Sequence, residues 1–342
     1  MRRVSSRVVR IAALAAAGAL VAALGSAAAG GAAWGTTISV TCPPGSNLQN
    51  AINSAPSGST ITIRGVCTGN FSIPGANPAG PSLSLTLQGG VLDGANNGTV
   101  LSIASGTVTV SATTIRNGNG DIGGGISINS GSVSLTNSTV SNNTANVGGG
   151  IYSDGNLSLT NSQVSNNSTP SGSGGGIFSD LTVTLASSTV SSNTAFQGGG
   201  IFNNGTTDPV GLSLTNSAVS NNSASERGGG IYNNNSPVIL TNSSVSNNTA
   251  GTDGGGMYDS GGHTNGAPAT LNTSTVSNNR AAGDGGGIFS AQGNITLSNS
   301  HVSANAAGGG PGSGGGIFII LGTVSQTRST VLGNTPDNCI GC

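Results

Sequence analysis

Two aspartates, Asp253 and Asp284, each stand immediately before a triple glycine, and Arg227 stands before the preceding one. Carboxylates held about 5 Å apart can share a proton or bind Ca²⁺. A basic residue beside them could abstract a proton or face a charged substrate. The blander account of the same residues is an exposed Arg227–Asp253 pair beside Asp284, which contributes little. Asp253 and Asp284 read as the only acids aligned on neighbouring repeats. Asp154 and Asp180 share a column with Asn129, Asn204 and Asn234 and read as turn-formers. His301 stands where other repeats carry threonine or glutamine, and His263 lies in the insert SGGHTNGAPA near Asp259. There is no GxSxG, no HExxH and no glycine-aspartate calcium-roll nonapeptide. No cofactor is expected, and Asp253 with Asp284 is the sole candidate for a metal.

A second chemistry comes from rings. The residue after each glycine-flanked apolar position reads Ser127, Tyr152, Phe178, Phe202, Tyr232, Tyr258, Phe289 and Phe318. If the apolar neighbour points inward, period two sends the rings outward. A stripe of rings at repeat spacing could bind flat sugar faces or an apolar partner. If the register is reversed, the rings are core. Mineral or ice binding by threonine ladders is a third reading, but Ala218 and His301 break that column.

These residues are positioned by a repeat. A triple glycine followed by an apolar residue recurs with that residue at Ile126, Ile151, Ile177, Ile201, Ile231, Met257, Ile288 and Ile317, in steps of 24 to 31 residues. Within a unit, short apolar pieces alternate with Ser and Thr at period two, and Gly, Asn, Asp and Ser fill the corners. Three strands and three corners make one coil of a parallel β-solenoid, all-β and stacked coil on coil. Aligned columns support this: leucines 135, 159, 185, 214, 240, 271 and 297, and valines 140, 164, 190, 219, 245, 276, 302 and 331. Asparagines 143, 167, 193, 222, 248, 279, 305 and 334 follow the valines and suit a side-chain amide ladder.

Residues 1–29 combine Arg2, Arg3, Arg7 and Arg10 with an apolar run and Ala27-x-Ala29, a secretory signal too short for a confident span, with a retained N-terminal anchor as the alternative. Removal of the signal leaves five arginines against ten acidic residues, a charge near −5, so nucleic acid is not an expected partner, and with no second apolar stretch no membrane span is expected after signal removal. Residues 30–81 hold the first strands and a short helix with Leu48, Ala51 and Ile52 on one face. That helix is expected to cap the open end, pinned by a Cys42–Cys67 disulfide. Residues 82–342 carry the repeats and a Cys339-x-x-Cys342 tail, expected to be a small structural disulfide.

The GGGI[YF] units, the LTNSxVSNNTA pieces and the LQNAINSAPSGSTITI entry resemble secreted bacterial right-handed parallel β-helix proteins of the pectate-lyase-like superfamily. The repeat is also similar to that of the polymorphic outer-membrane proteins. The resemblance implies about eleven coils of three strands each, closed at both ends. It also implies a secreted location at or outside the cell surface. Because this architecture hosts both enzymes and adhesins, it leaves two functions open. One is a non-catalytic surface or matrix protein recognising polysaccharide or a cell-surface component. The other is a polysaccharide lyase or hydrolase.

Overall fold

The computed structural model is described over residues 35–42, 47–75, 83–205, 211–261 and 269–342. The expected signal segment and His263 lie outside them. The described chain is a parallel β-solenoid of about eleven turns.

Each repeat alternates side chains in and out, and each coil pairs in register with the next. Leu159 lies opposite Leu185, Val164 opposite Val190, and Ile151 opposite Ile177. The inward Leu, Val and Ile columns are fully buried from Leu135 to Leu297, Val140 to Val302 and Ile126 to Ile317, where Met257 stands in for one isoleucine. Such burial stabilises by roughly 2 kcal/mol for each side chain. The corners are made by single left-handed residues. Asn161 (φ 48°) separates the Leu and Val strands, and Asn166 (φ 56°) ends the Val strand. Asparagine tolerates this conformation at low cost, which is why it recurs there.

Each left-handed corner is followed by an inward polar residue that the next coil satisfies. The Asn143 Nδ2 donates to Asn167 Oδ1 at 3.0 Å, and the Asn143 backbone N–H donates to the same oxygen. This pattern runs unbroken to Asn334, forming the expected amide ladder. A parallel serine column serves the other corner: Ser138 N–H donates to Ser162 Oγ, and Ser162 Oγ–H donates to Thr160 O.

Two features differ from expectation. The coil contains a fourth ladder of eight short strands, from Asn119–Ile122 to Ala306–Ala307, between the asparagine corner and the triple glycine. Its pieces are two to six residues long, too short to show a clear alternation in sequence, and the six inner ones each bury one residue, such as Ala195 or Ala224. The C-terminal coil is also not closed. Ile320, Leu321 and Leu332 are more than half exposed, and Val331 is only partly covered.

The triple glycine is explained by space. Gly148 has φ 63°, and a Cβ on Gly149 or Gly150 would come within 2.6 Å of a carbonyl oxygen of the next coil. Near the other end, helix α1 (Leu48–Ser54) buries Leu48, Ala51 and Ile52 against the first strands. Cys42 is bonded to Cys67 and Cys339 to Cys342, with Cα separations of 5.0 and 6.0 Å. Among the described residues, no helix is long and apolar enough to cross a membrane.

A further inward polar column lies two residues beyond the isoleucines. Asn203 Nδ2 donates to Asn233 Oδ1 at 2.8 Å, and Asn233 Nδ2 donates to Asp259 Oδ1 at 3.0 Å. Asp259, which the sequence places beside an insert, is only 2% exposed. Burial pushes its carboxyl up to about 6, against the hydrogen bonds from Asn233, the Gly261 N–H and Ser290.

Two predictions follow from this packing. Leu214→Asp or Val219→Asp buries an unpaired charge between coils. Either should lower the melting temperature by about 10 °C or more in one cooperative transition. An unchanged transition, read by circular dichroism, would mean that the side chain does not face the core. Separately, folding raises the Asp259 pKa, so its stabilising contribution is complete below about pH 4 and is lost as pH rises through about 6. That shift corresponds to on the order of 3 kcal/mol. Asp259→Asn copies the asparagines of the two preceding coils. It should therefore raise the melting temperature by several degrees near pH 7.5 and hardly at all near pH 4. A difference that does not grow between the two would show that the carboxyl titrates normally.

Candidate functional site: the aromatic column and its polar borders

Because the isoleucines of this ladder point inward, the rings that follow them stand on its outer side and are absent from the aliphatic core. All seven expected residues, Tyr152, Phe178, Phe202, Tyr232, Tyr258, Phe289 and Phe318, form one continuous stack. Successive centroids are 4.5 to 5.4 Å apart, and ring planes differ by 6° to 28°. The coil repeat sets this spacing, since adjacent parallel strands sit about 4.8 Å apart. Each interior ring therefore spends both faces on its neighbours. Phe202, Tyr258 and Phe289 are less than 9% exposed, and the others are half-buried. The column offers a partner ring edges and three phenol hydroxyls; flat faces remain only at its two ends.

One border of the column is a hydrogen-bonded row. The Tyr152 hydroxyl donates to Asp180 Oδ2 at 3.3 Å, and Asn204 Nδ2 donates to Asp180 Oδ1 at 2.6 Å. Asn234 Nδ2 donates to Asn204 Oδ1, and Ser260 Oγ to Asn234 Oδ1. Asp154 and Asp180 follow the paired residues Ser153 and Ser179, so they occupy adjacent coils. Burial raises the Asp154 carboxyl above its ordinary range, the Tyr152 hydroxyl opposes this, and Asp180 adds to it. Burial, then the two carboxylates, also raise the Tyr152 phenol. These aspartates are thus more than turn-formers, and Asp253–Asp284 is not the only aligned acidic pair. The signal was in the sequence: both follow a Ser at the same offset from a triple glycine.

The other border gathers the second acidic pair. Arg227 Nε lies 3.6 Å from Asp253 Oδ2, and its guanidinium carbon sits 5.2 Å from the Tyr258 ring centroid. Asp253 Oδ1 accepts the Asp284 N–H at 2.9 Å. Burial, then Asp253, raises the Asp284 carboxyl. Beside them Gln197 Nε2 donates to Glu226. The three residues expected to meet do meet, but Asp253 is already engaged by a backbone donor and a cation. Two carboxylates are fewer ligands than a Ca²⁺ site needs. Among the described residues no three His, Cys, Asp or Glu side chains are gathered for a metal ion. His301 is exposed on a different face, with Nδ1 2.8 Å from Thr330 Oγ1.

The result is a rigid strip of rings with hydrogen-bonding groups along both edges. When the chain is compared with protein-family models, curated proteins and solved structures, none of the three gives a match.

Proposed function

We propose that this chain is an exported, non-catalytic β-helix protein of the surface or matrix type, whose aromatic strip attaches it to a polysaccharide or another cell-surface component. The observation that carries the reading is the seven-ring stack held in register along one outer face. The stack fixes a row of ring edges and hydroxyls in place before any partner arrives, which lowers the entropy lost on binding. Ring edges and tyrosine hydroxyls, bordered by Asn204, Asn234 and Ser260, suit an extended, hydroxyl-bearing partner lying along the rod.

Several parts of this reading rest on supporting arguments. Right-handed winding follows from the strong preference of parallel crossovers for that hand. Export draws on the N-terminal signal pattern, and the two disulfides are compatible with it. Helix α1 would act as the N-terminal cap, since its apolar face covers the first coil. Membership of the pectate-lyase-like superfamily rests on the repeat pattern. The second reading, a polysaccharide lyase or hydrolase, is favoured by one observation: Asp154 beside Asp180, with a raised carboxyl and a tyrosine hydroxyl in reach.

Tyr232→Ala with Tyr258→Ala should reduce retention on cell-wall polysaccharide by about tenfold or more, with the β-sheet circular dichroism preserved. Asp253→Asn with Asp284→Asn should leave retention unchanged. Release of reducing sugar or unsaturated product by the wild type, abolished in Asp154→Asn with Asp180→Asn, would replace the binding reading with the enzymatic one.

A further inference from the structure

A separate feature lies at the left-handed corner between the Leu and Val ladders. Over four coils this corner is hollowed into an open groove of about 440 Å³. One wall is the left-handed residues, among them Asn216 (φ 50°) and Asn242 (φ 48°), both exposed. The other is the outward column Thr189, Ala218, Ser244 and Thr275. The inward serines that form the floor are satisfied by the backbone. The walls are not. The carboxamides of Asn216 and Asn242 and the hydroxyls of Thr189, Ser244 and Thr275 bond no other side chain or backbone group among the described residues.

Larger side chains stand at both ends of the hollow. In the same outward column Gln163 precedes Thr189 and His301 follows Thr275, and both are exposed. The four small residues between them span about 14 Å at the strand spacing. Ala218 and Ser244, which spoil a regular threonine array, carry smaller side chains than Thr189 and Thr275 on either side of them in the lining.

The geometry points to this groove as a binding site for a neutral oligosaccharide segment lying along the solenoid axis. No lining residue is charged, so an anionic polymer gains no ion pair there, and the chain as a whole is acidic once its N-terminal arginines are set aside. Ala218 is the sole apolar lining residue, so an apolar ligand gains little. What the walls supply is paired donors and acceptors. A carboxamide offers both at once, as does a hydroxyl, matching vicinal sugar hydroxyls that also give and accept. The site does not involve the aromatic strip and does not depend on its role. An open, wet groove of this kind binds weakly at one site and gains strength along a polymer.

The test is titration of the mature protein with neutral hexasaccharides of glucose, mannose and galactose, and with oligogalacturonate, followed by NMR shifts or calorimetry. At least one neutral hexasaccharide should bind, with an affinity insensitive to salt, and oligogalacturonate should not. Ala218→Trp, which fills the hollow, and Asn216→Ala with Asn242→Ala, which strips the amides, should each weaken binding about tenfold or more. Both change exposed or half-buried positions, and Ala112 already holds the same left-handed corner in an earlier coil, so a single cooperative melting transition, a few degrees lower at most for the alanine pair, confirms folding. Tyr232→Ala with Tyr258→Ala should bind the hexasaccharide like the wild type. Equal binding by the groove variants, loss in the tyrosine variant alone, preference for oligogalacturonate, or no binding of any neutral hexasaccharide would each overturn the assignment. None of these outcomes decides whether the aromatic strip attaches the protein to a surface.

Discussion

The fold depends on buried asparagine amides that only another coil can satisfy. Each Nδ2 from Asn143 to Asn305 donates to the Oδ1 of the next coil and to a carbonyl of the preceding one, and each Oδ1 from Asn167 to Asn334 receives two N–H groups. A buried carboxamide without those partners costs several times what a satisfied one contributes. Stacking in any other register would strand the whole column at once. The leucine and valine columns supply the apolar burial, but aliphatic contacts tolerate sliding. The amide ladder is directional, so it sets which residue faces which.

Register set in the interior is inherited by the surface. Because every coil presents its outward positions at one spacing, like residues become rows. Seven rings become a single stack, polar residues become hydrogen-bonded borders, and small residues in four successive coils become a groove. None of these surfaces needs a folded loop or a hinge to exist. They are rigid in proportion to the core beneath them, which lowers the entropy lost on binding an extended partner.

The few charges are placed accordingly. Asp93 is buried enough to be penalised, yet its carboxyl is held below the usual range by the Ala95 N–H, Asn117 and Arg116. Arg227 is shared between Asp253 and the Tyr258 ring. Asp259 is the exception: it lies inside the coil with amide and hydroxyl partners and, among the described residues, no cation bonded to it, and its carboxyl is raised. It occupies a position that the two preceding coils fill with asparagine.

The solenoid is legible in the amino-acid pattern, because the signal is periodic: a triple glycine, LxL, an asparagine, V and a second asparagine, returning every 24 to 31 residues. Both cysteine pairs and the helix around Leu48 are legible too, where local spacing carries the information. The fourth ladder was not legible, since pieces of two to six residues with at most a single buried position each cannot display an alternation. Nor was the pairing of Asp154 with Asp180 recognised, although their alignment was present in the pattern. Tertiary structure alone decided that the rings stack face to face and so withhold those faces from a ligand, and that Ala218 and its neighbours form a hollow. It alone decided that Asp259 turns into the core. Period two says which side of a strand a residue occupies, but the distance between neighbouring coils decides what that residue can still touch.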